Sequence, residues 1–226
     1  MDSTAYLSAV ITTFAAHANP ENALPMARYM KNHFAFFGIK KPERVLLSKK
    51  VIRELGILPA EELPKLCQAC FQQPQRELQY FVYDLLASRM KELPVNFLDT
   101  IEALIQQKSW WDTVDFLAPK IGGKLLLRFP EAIVPRTQPW IESDNIWLQR
   151  SAILFQLDYK SKTDAELLFR YIRRRADSKE FFVQKAAGWA LREYGKTNPE
   201  AVQQFISTNT LAKLTVREGM KRIVQK

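Results

Sequence analysis

Tyr80, Asp115, Arg150 and Lys185 stand 35 residues apart in the chain and define one column of a repeat. The columns around it are mostly apolar. Two places before it stand Leu78, Thr113, Leu148 and Val183, one place after it Phe81, Phe116, Ser151 and Ala186, and two places after it Val82, Leu117, Ala152 and Ala187. Five places after it stand Leu85, Lys120, Phe155 and Ala190, where Lys120 is the misfit. At about 100° per residue these columns lie opposite the first one, so each helix buries one face and presents the other.

Between these stretches lie shorter helical ones, giving pairs of helices. Shorter helices are expected near 60–72, 95–107, 131–141, 163–176 and 199–208. Longer ones are expected near 43–55, 76–91, 110–127, 145–157, 180–194 and 215–225. A first helix is read over 3–17, ended by Asn19-Pro20, and a second runs through Arg28-Tyr29-Met30 to a cap at Gly38. A two-helix unit that cannot bury its face alone, repeated at a fixed period, defines an α-solenoid. The period is near the tetratricopeptide and ankyrin lengths, but their Trp-Leu-Gly-Tyr and Thr-Pro-Leu-His patterns are absent. The expected class is therefore all-α, a single HEAT-like helical-repeat superhelix over 1–226, with its presented faces forming a concave surface.

Scarce Gly, 7 in 226 residues, agrees with an all-helical chain. A formal net charge of +9 makes a polyanion the first partner to consider, nucleic acid ahead of a membrane surface. No apolar run approaches the roughly 18 residues that a membrane helix needs. The start Met1-Asp2-Ser3-Thr4-Ala5-Tyr6 lacks the basic opening of a secretory signal, so a cytoplasmic location is expected; a monomer with no obligate protein partner is expected as well. Cys67 and Cys70 have Cys-x-x-Cys spacing, but they fall on an amphipathic helix with no strand before it and read as buried structural thiols. His17 and His33 are the only histidines, which supplies a zinc site poorly; neither metal nor cofactor is expected.

The presented column, with positions four before and four after it, supplies Arg76, Tyr80, Asp84, Trp111, Asp115, Arg150, Phe181, Lys185 and Trp189. Two indoles (Trp111, Trp189), a carboxylate (Asp115) and two cations (Arg150, Lys185) on the last three of these helices are more than a core requires. Trp111 and Asp115 alone also suit a half-buried aromatic with an acid near a helix start. The whole stripe also suits a scaffold for an acidic peptide. Asp115 fits neither a peptide scaffold nor a simple nucleic-acid binder, because it repels phosphate.

Four stretches go further: Arg28-Tyr29-Met30-Lys31-Asn32-His33-Phe34, Ser109-Trp110-Trp111-Asp112-Thr113-Val114-Asp115, Ser143-Asp144-Asn145-Ile146-Trp147-Leu148-Gln149-Arg150, and Phe182-Val183-Gln184-Lys185 through Tyr194. In order and spacing they resemble the AlkD-like family of HEAT-repeat DNA alkylpurine glycosylases over nearly the whole chain. The resemblance implies excision of cationic N3- and N7-alkylated purines from double-stranded DNA in base excision repair, without base flipping. It implies Asp115 as the catalytic carboxylate, Trp111 and Trp189 as the indoles against the deoxyribose, Arg150 at a backbone phosphate, and Tyr29 in the cleft.

These residue types suit that chemistry. An N3- or N7-alkylated purine is already cationic and leaves as a neutral base without an acid. Positive charge then moves to the sugar, where a carboxylate and indole faces stabilise it. Lys185, Lys120, Lys124 and Arg128 are candidates for backbone contacts, and Arg173-Arg174-Arg175 is as well explained by a solvated helix face. No Lys is placed by motif to form a Schiff base, so a monofunctional enzyme is expected. The alternative is a non-catalytic HEAT module that binds or recognises DNA.

Overall fold

In a computed structural model that describes residues 2–56 and 58–221, the chain is all-helical, as expected. It divides into two compact units, Met1–Thr100 and Ile101–Lys226. No helix among the described residues is long and apolar enough to cross a membrane. The end of the expected last helix, from 222 on, lies outside the described residues.

The first unit holds α1 (Ser3–Ala15), α2 (Pro20–Tyr29), α3 (Lys41–Leu55), α4 (Leu63–Gln72) and α5 (Arg76–Ser88), with α6 (Phe97–Gln106) crossing into the second. Helices α1 and α3 pack on each other, and both meet the α4–α5 pair. Val10, Phe14, Leu66, Leu78, Phe81 and Leu86 are buried between them. Cys67 and Cys70 are free and buried on α4, and burial pushes both thiols up, as structural cysteines require.

The second helix stops at Tyr29 rather than Gly38. Lys31 and Asn32 both adopt positive φ, 56° and 59°, and two consecutive left-handed residues turn the backbone out of the helix. Residues 30–39 fold back over the start of α5. There the buried Glu77 carboxylate accepts the backbone N–H groups of Phe37, Gly38 and Ile39 at 3.0, 2.8 and 3.1 Å. Arg76, expected on the presented face, is instead buried with its guanidinium 3.7 Å from the Phe34 ring centre, because this segment covers it.

Gly38 sits at φ 91°, and a Cβ there would lie 2.0 Å from the Asn19 carbonyl oxygen. Gly38→Ala therefore combines strain of about 1–3 kcal/mol with a backbone clash, and a thermal melt is expected to show Tm lowered by roughly 5 °C or more.

The second unit continues with α7 (Trp111–Phe116), α8 (Lys124–Arg128), α9 (Ile133–Glu142), α10 (Ile146–Leu154), α11 (Ala165–Arg174), α12 (Phe181–Tyr194), α13 (Pro199–Thr208) and α14 (Lys213–Met220). Helix α10 packs between α7 and α12, and α14 packs on α12, so the longer helices form one layer. The shorter α9 and α11 back onto α10, and α13 backs onto α12. This is the helical-repeat arrangement that the 35-residue period predicts.

The expected uninterrupted helix over 110–127 is broken. Leu117–Gly123 form a wide π-helical segment between α7 and α8. Pro119 has no N–H to give the Asp115 carbonyl, and its ring crowds that oxygen, so the turn after Asp115 opens. The wider turn shifts the helical phase, which accounts for Lys120 as a misfit in an apolar column. Its ammonium turns to the Asp158 carboxylate at 2.7 and 2.8 Å.

Candidate active site

Helix α10 lies at the centre of the site. Every residue from Leu148 to Leu154 is buried, because this helix is covered by α7, α9 and α12. Asn145 starts it by accepting the Trp147 N–H at 2.9 Å. Arg150, 4% exposed, is thus a cation inside the layer, and a buried guanidinium needs partners on every side it can reach.

It finds them on both neighbouring helices. Nε and Nη2 donate to the two carboxylate oxygens of Asp115 at 2.8 and 2.9 Å, a bidentate pair with α7. Nη1 donates to the Phe182 carbonyl at the start of α12 at 2.6 Å. Arg150 therefore ties α7, α10 and α12 together through three of its five N–H groups.

Asp115 is 18% exposed, so the pair is partly open to solvent. Burial raises its carboxyl above the usual aspartate value; the Arg150 hydrogen bonds and charge oppose this, and nearby Asp112 adds to it. Trp111 lies one helical turn before Asp115 and is half-buried, as is Trp189 on α12. The opening of α7 is held by the Ser109 hydroxyl on the Ile105 carbonyl at 2.6 Å and by the Trp110 carbonyl, which takes the Val114 N–H at 3.1 Å.

An aromatic cluster stands beside the ion pair. The Trp147 and Phe182 rings are 4.9 Å apart, and Trp110 meets both, at 5.7 and 5.1 Å. The exposed Phe181 stands edge-on to Phe182 at 5.3 Å. Sequence reasoning did not single out Trp110, Trp147 or Phe182. The signal was present: Trp147 and Phe182 are themselves one 35-residue period apart, three places before the charged column.

Lys185 shares α12 with Trp189, and its ammonium is 3.1 Å from Glu218 of α14. Lys120 pairs with Asp158; Lys124 and Arg128 are exposed at the two ends of α8, Arg128 lying over the Phe129 ring at 5.2 Å. Tyr29 is in the first unit, 69% exposed at the end of α2, a helix with no buried residue. In the Arg173-Arg174-Arg175 run, Arg175 bonds the Ile141 and Ser143 carbonyls at 2.7 and 2.9 Å and is structural.

The second unit thus holds a bidentate carboxylate–guanidinium pair between repeat helices, partly open to solvent at Asp115, with half-buried indoles on the same helices. The chain belongs to the DNA alkylation repair enzyme family, whose model matches residues 10–223. A solved structure described as a predicted DNA alkylation repair enzyme from Enterococcus faecalis is similar to it at 35% identity and a TM-score of 0.87. That similarity covers 92% of this chain and 98% of the other. No curated protein matches the chain.

Proposed function

We propose that this chain is a monofunctional DNA glycosylase that hydrolyses the N-glycosidic bond of N3- and N7-alkylated purines, 3-methyladenine and 7-methylguanine among them. The observation that carries the reading is Asp115. Its carboxylate is oriented by Arg150 and remains partly exposed between helices that also bear Trp111 and Trp189. Membership of a DNA alkylation repair family supports DNA as the substrate.

The cationic base leaves with the electron pair of the glycosidic bond and becomes neutral. Asp115 stabilises the positive charge left on the sugar, and water adds to the anomeric carbon and loses its proton. Trp111 and Trp189 present indole faces to the sugar, worth about 0.5–2 kcal/mol each. Because Asp115 acts on the sugar, the base need not be swallowed by a pocket, and bulky adducts are accepted so long as they leave the purine cationic. Arg150, buried with its fork on Asp115 and its third nitrogen on the Phe182 carbonyl, holds the carboxylate in place and keeps it ionised rather than meeting a backbone phosphate as the resemblance implied.

One observation favours a second reading, a DNA-binding module without chemistry: both Asp115 oxygens are engaged by Arg150, as in an ordinary structural ion pair. Methylated duplex DNA separates the two. The enzyme leaves abasic sites, so strands break only after alkaline treatment. Breakage without alkali overturns the monofunctional assignment, and no breakage under either condition, with DNA bound, favours the module.

A further inference from the structure

Glu218 on α14 meets Lys185 of the charged column, though it stands 33 rather than 35 residues after it. It is 4% exposed, yet three cations close on its carboxylate: Lys221 Nζ at 2.7 Å, Arg192 Nη1 at 2.8 Å and Lys185 Nζ at 3.1 Å. These donors, Lys221 foremost, hold the Glu218 carboxyl at about 2. Three cations against one carboxylate leave a net charge of +2 at the locus, more than its neutralisation requires. The cations also reach water: the side chains of Lys221, Lys185 and Arg192 are 51%, 35% and 23% exposed.

The cluster is built into the packing of α14 on α12. Thr215 Oγ1 donates to the Gln184 carbonyl at 3.1 Å, and Arg192 also bonds the Glu218 carbonyl at 3.3 Å. Gly188 permits the close approach, since a Cβ there would stand 2.4 Å from Glu218 Cβ. It is also near the candidate active site along the same helix. Lys185 is one turn before Trp189, about 6 Å along the axis, and three residues after Phe182, about 4.5 Å, whose carbonyl bonds Arg150.

We propose that Glu218 gathers Lys185, Arg192 and Lys221 into a docking point for a DNA backbone phosphate, making α14 part of the DNA interface. The phosphate supplies the negative charge that the three cations lack, while Glu218 keeps their heads together in the free protein. The inference rests on DNA being the ligand, as the proposed function has it. Glu218 acts only through the cations it positions.

The test is binding of an undamaged DNA duplex across a salt series, with Tm measured in parallel. Wild type is compared with Lys185→Met, Lys221→Met, the double variant and Lys221→Arg. Each Met variant is expected to bind several-fold more weakly at low salt, and losing the phosphate contact lowers the slope of log K against log salt by about 1 in the double variant. Lys221→Arg is expected to retain the wild-type slope and a Tm near that of wild type, whereas the double variant leaves the buried Glu218 with Arg192 alone and is expected to lower Tm. An unchanged slope in the double variant, with or without a change in Tm, overturns the proposal, as does wild type that binds no duplex. Base release by wild type alongside an unchanged slope would retain the glycosylase reading and remove this one alone.

Discussion

Asp115→Asn is expected to slow release of a cationic base about a thousandfold while leaving duplex binding within a few-fold of wild type. A carboxylate about 4 Å from a unit positive charge, at an effective dielectric of about 20, contributes roughly 4 kcal/mol, which corresponds to about three powers of ten in rate. Asn keeps the shape and can still accept from Arg150, so the variant tests charge more than packing. Single-turnover excision from a duplex with one 7-methylguanine measures the effect. A fall of less than tenfold would remove Asp115 from the chemistry.

Arg150→Met is expected to act on stability and activity together. Removing one partner of a buried pair leaves an uncompensated charge, at a cost of about 3–5 kcal/mol. Here the carboxylate is 18% exposed, so the lower end is expected, read as a fall in Tm. Burial already raises the folded Asp115 carboxyl above its unfolded value, so its contribution to stability is greatest below the unfolded value and is lost as pH rises through the folded one. Activity, needing the ionised form, rises over that same upper limb. Without Arg150 the carboxyl rises further, so the acid limb of the excision profile moves to higher pH. Arg150→Lys keeps a charge but not the fork, and should fall between wild type and Met.

Much of this was legible in the sequence because the repeat carries it. Two residues one period apart on adjacent helices of a solenoid face each other, so Asp115 and Arg150 could be paired from their spacing alone, and the structure brings them to 2.8 Å. What periodicity could not supply were the places where the backbone departs from it. The left-handed turn at Lys31 and Asn32 buries Arg76 under a segment that no helical pattern describes. The wide turn after Asp115 depends on the position of a single proline. Glu218 was missed because it falls 33 rather than 35 residues after Lys185, close to the column but off it. Trp110, Trp147 and Phe182 were missed because aromatic residues beside a core column look like core.

The proposed chemistry has this site expel a base because the base is cationic. It is tested most directly by incubating the wild-type chain with genomic DNA treated with a simple methylating agent and measuring the bases released. Release of 3-methyladenine and 7-methylguanine is expected, with the neutral O6-methylguanine retained in the same DNA. Retention of all three by a protein that binds the DNA, or release of the neutral base at a comparable rate, would contradict it.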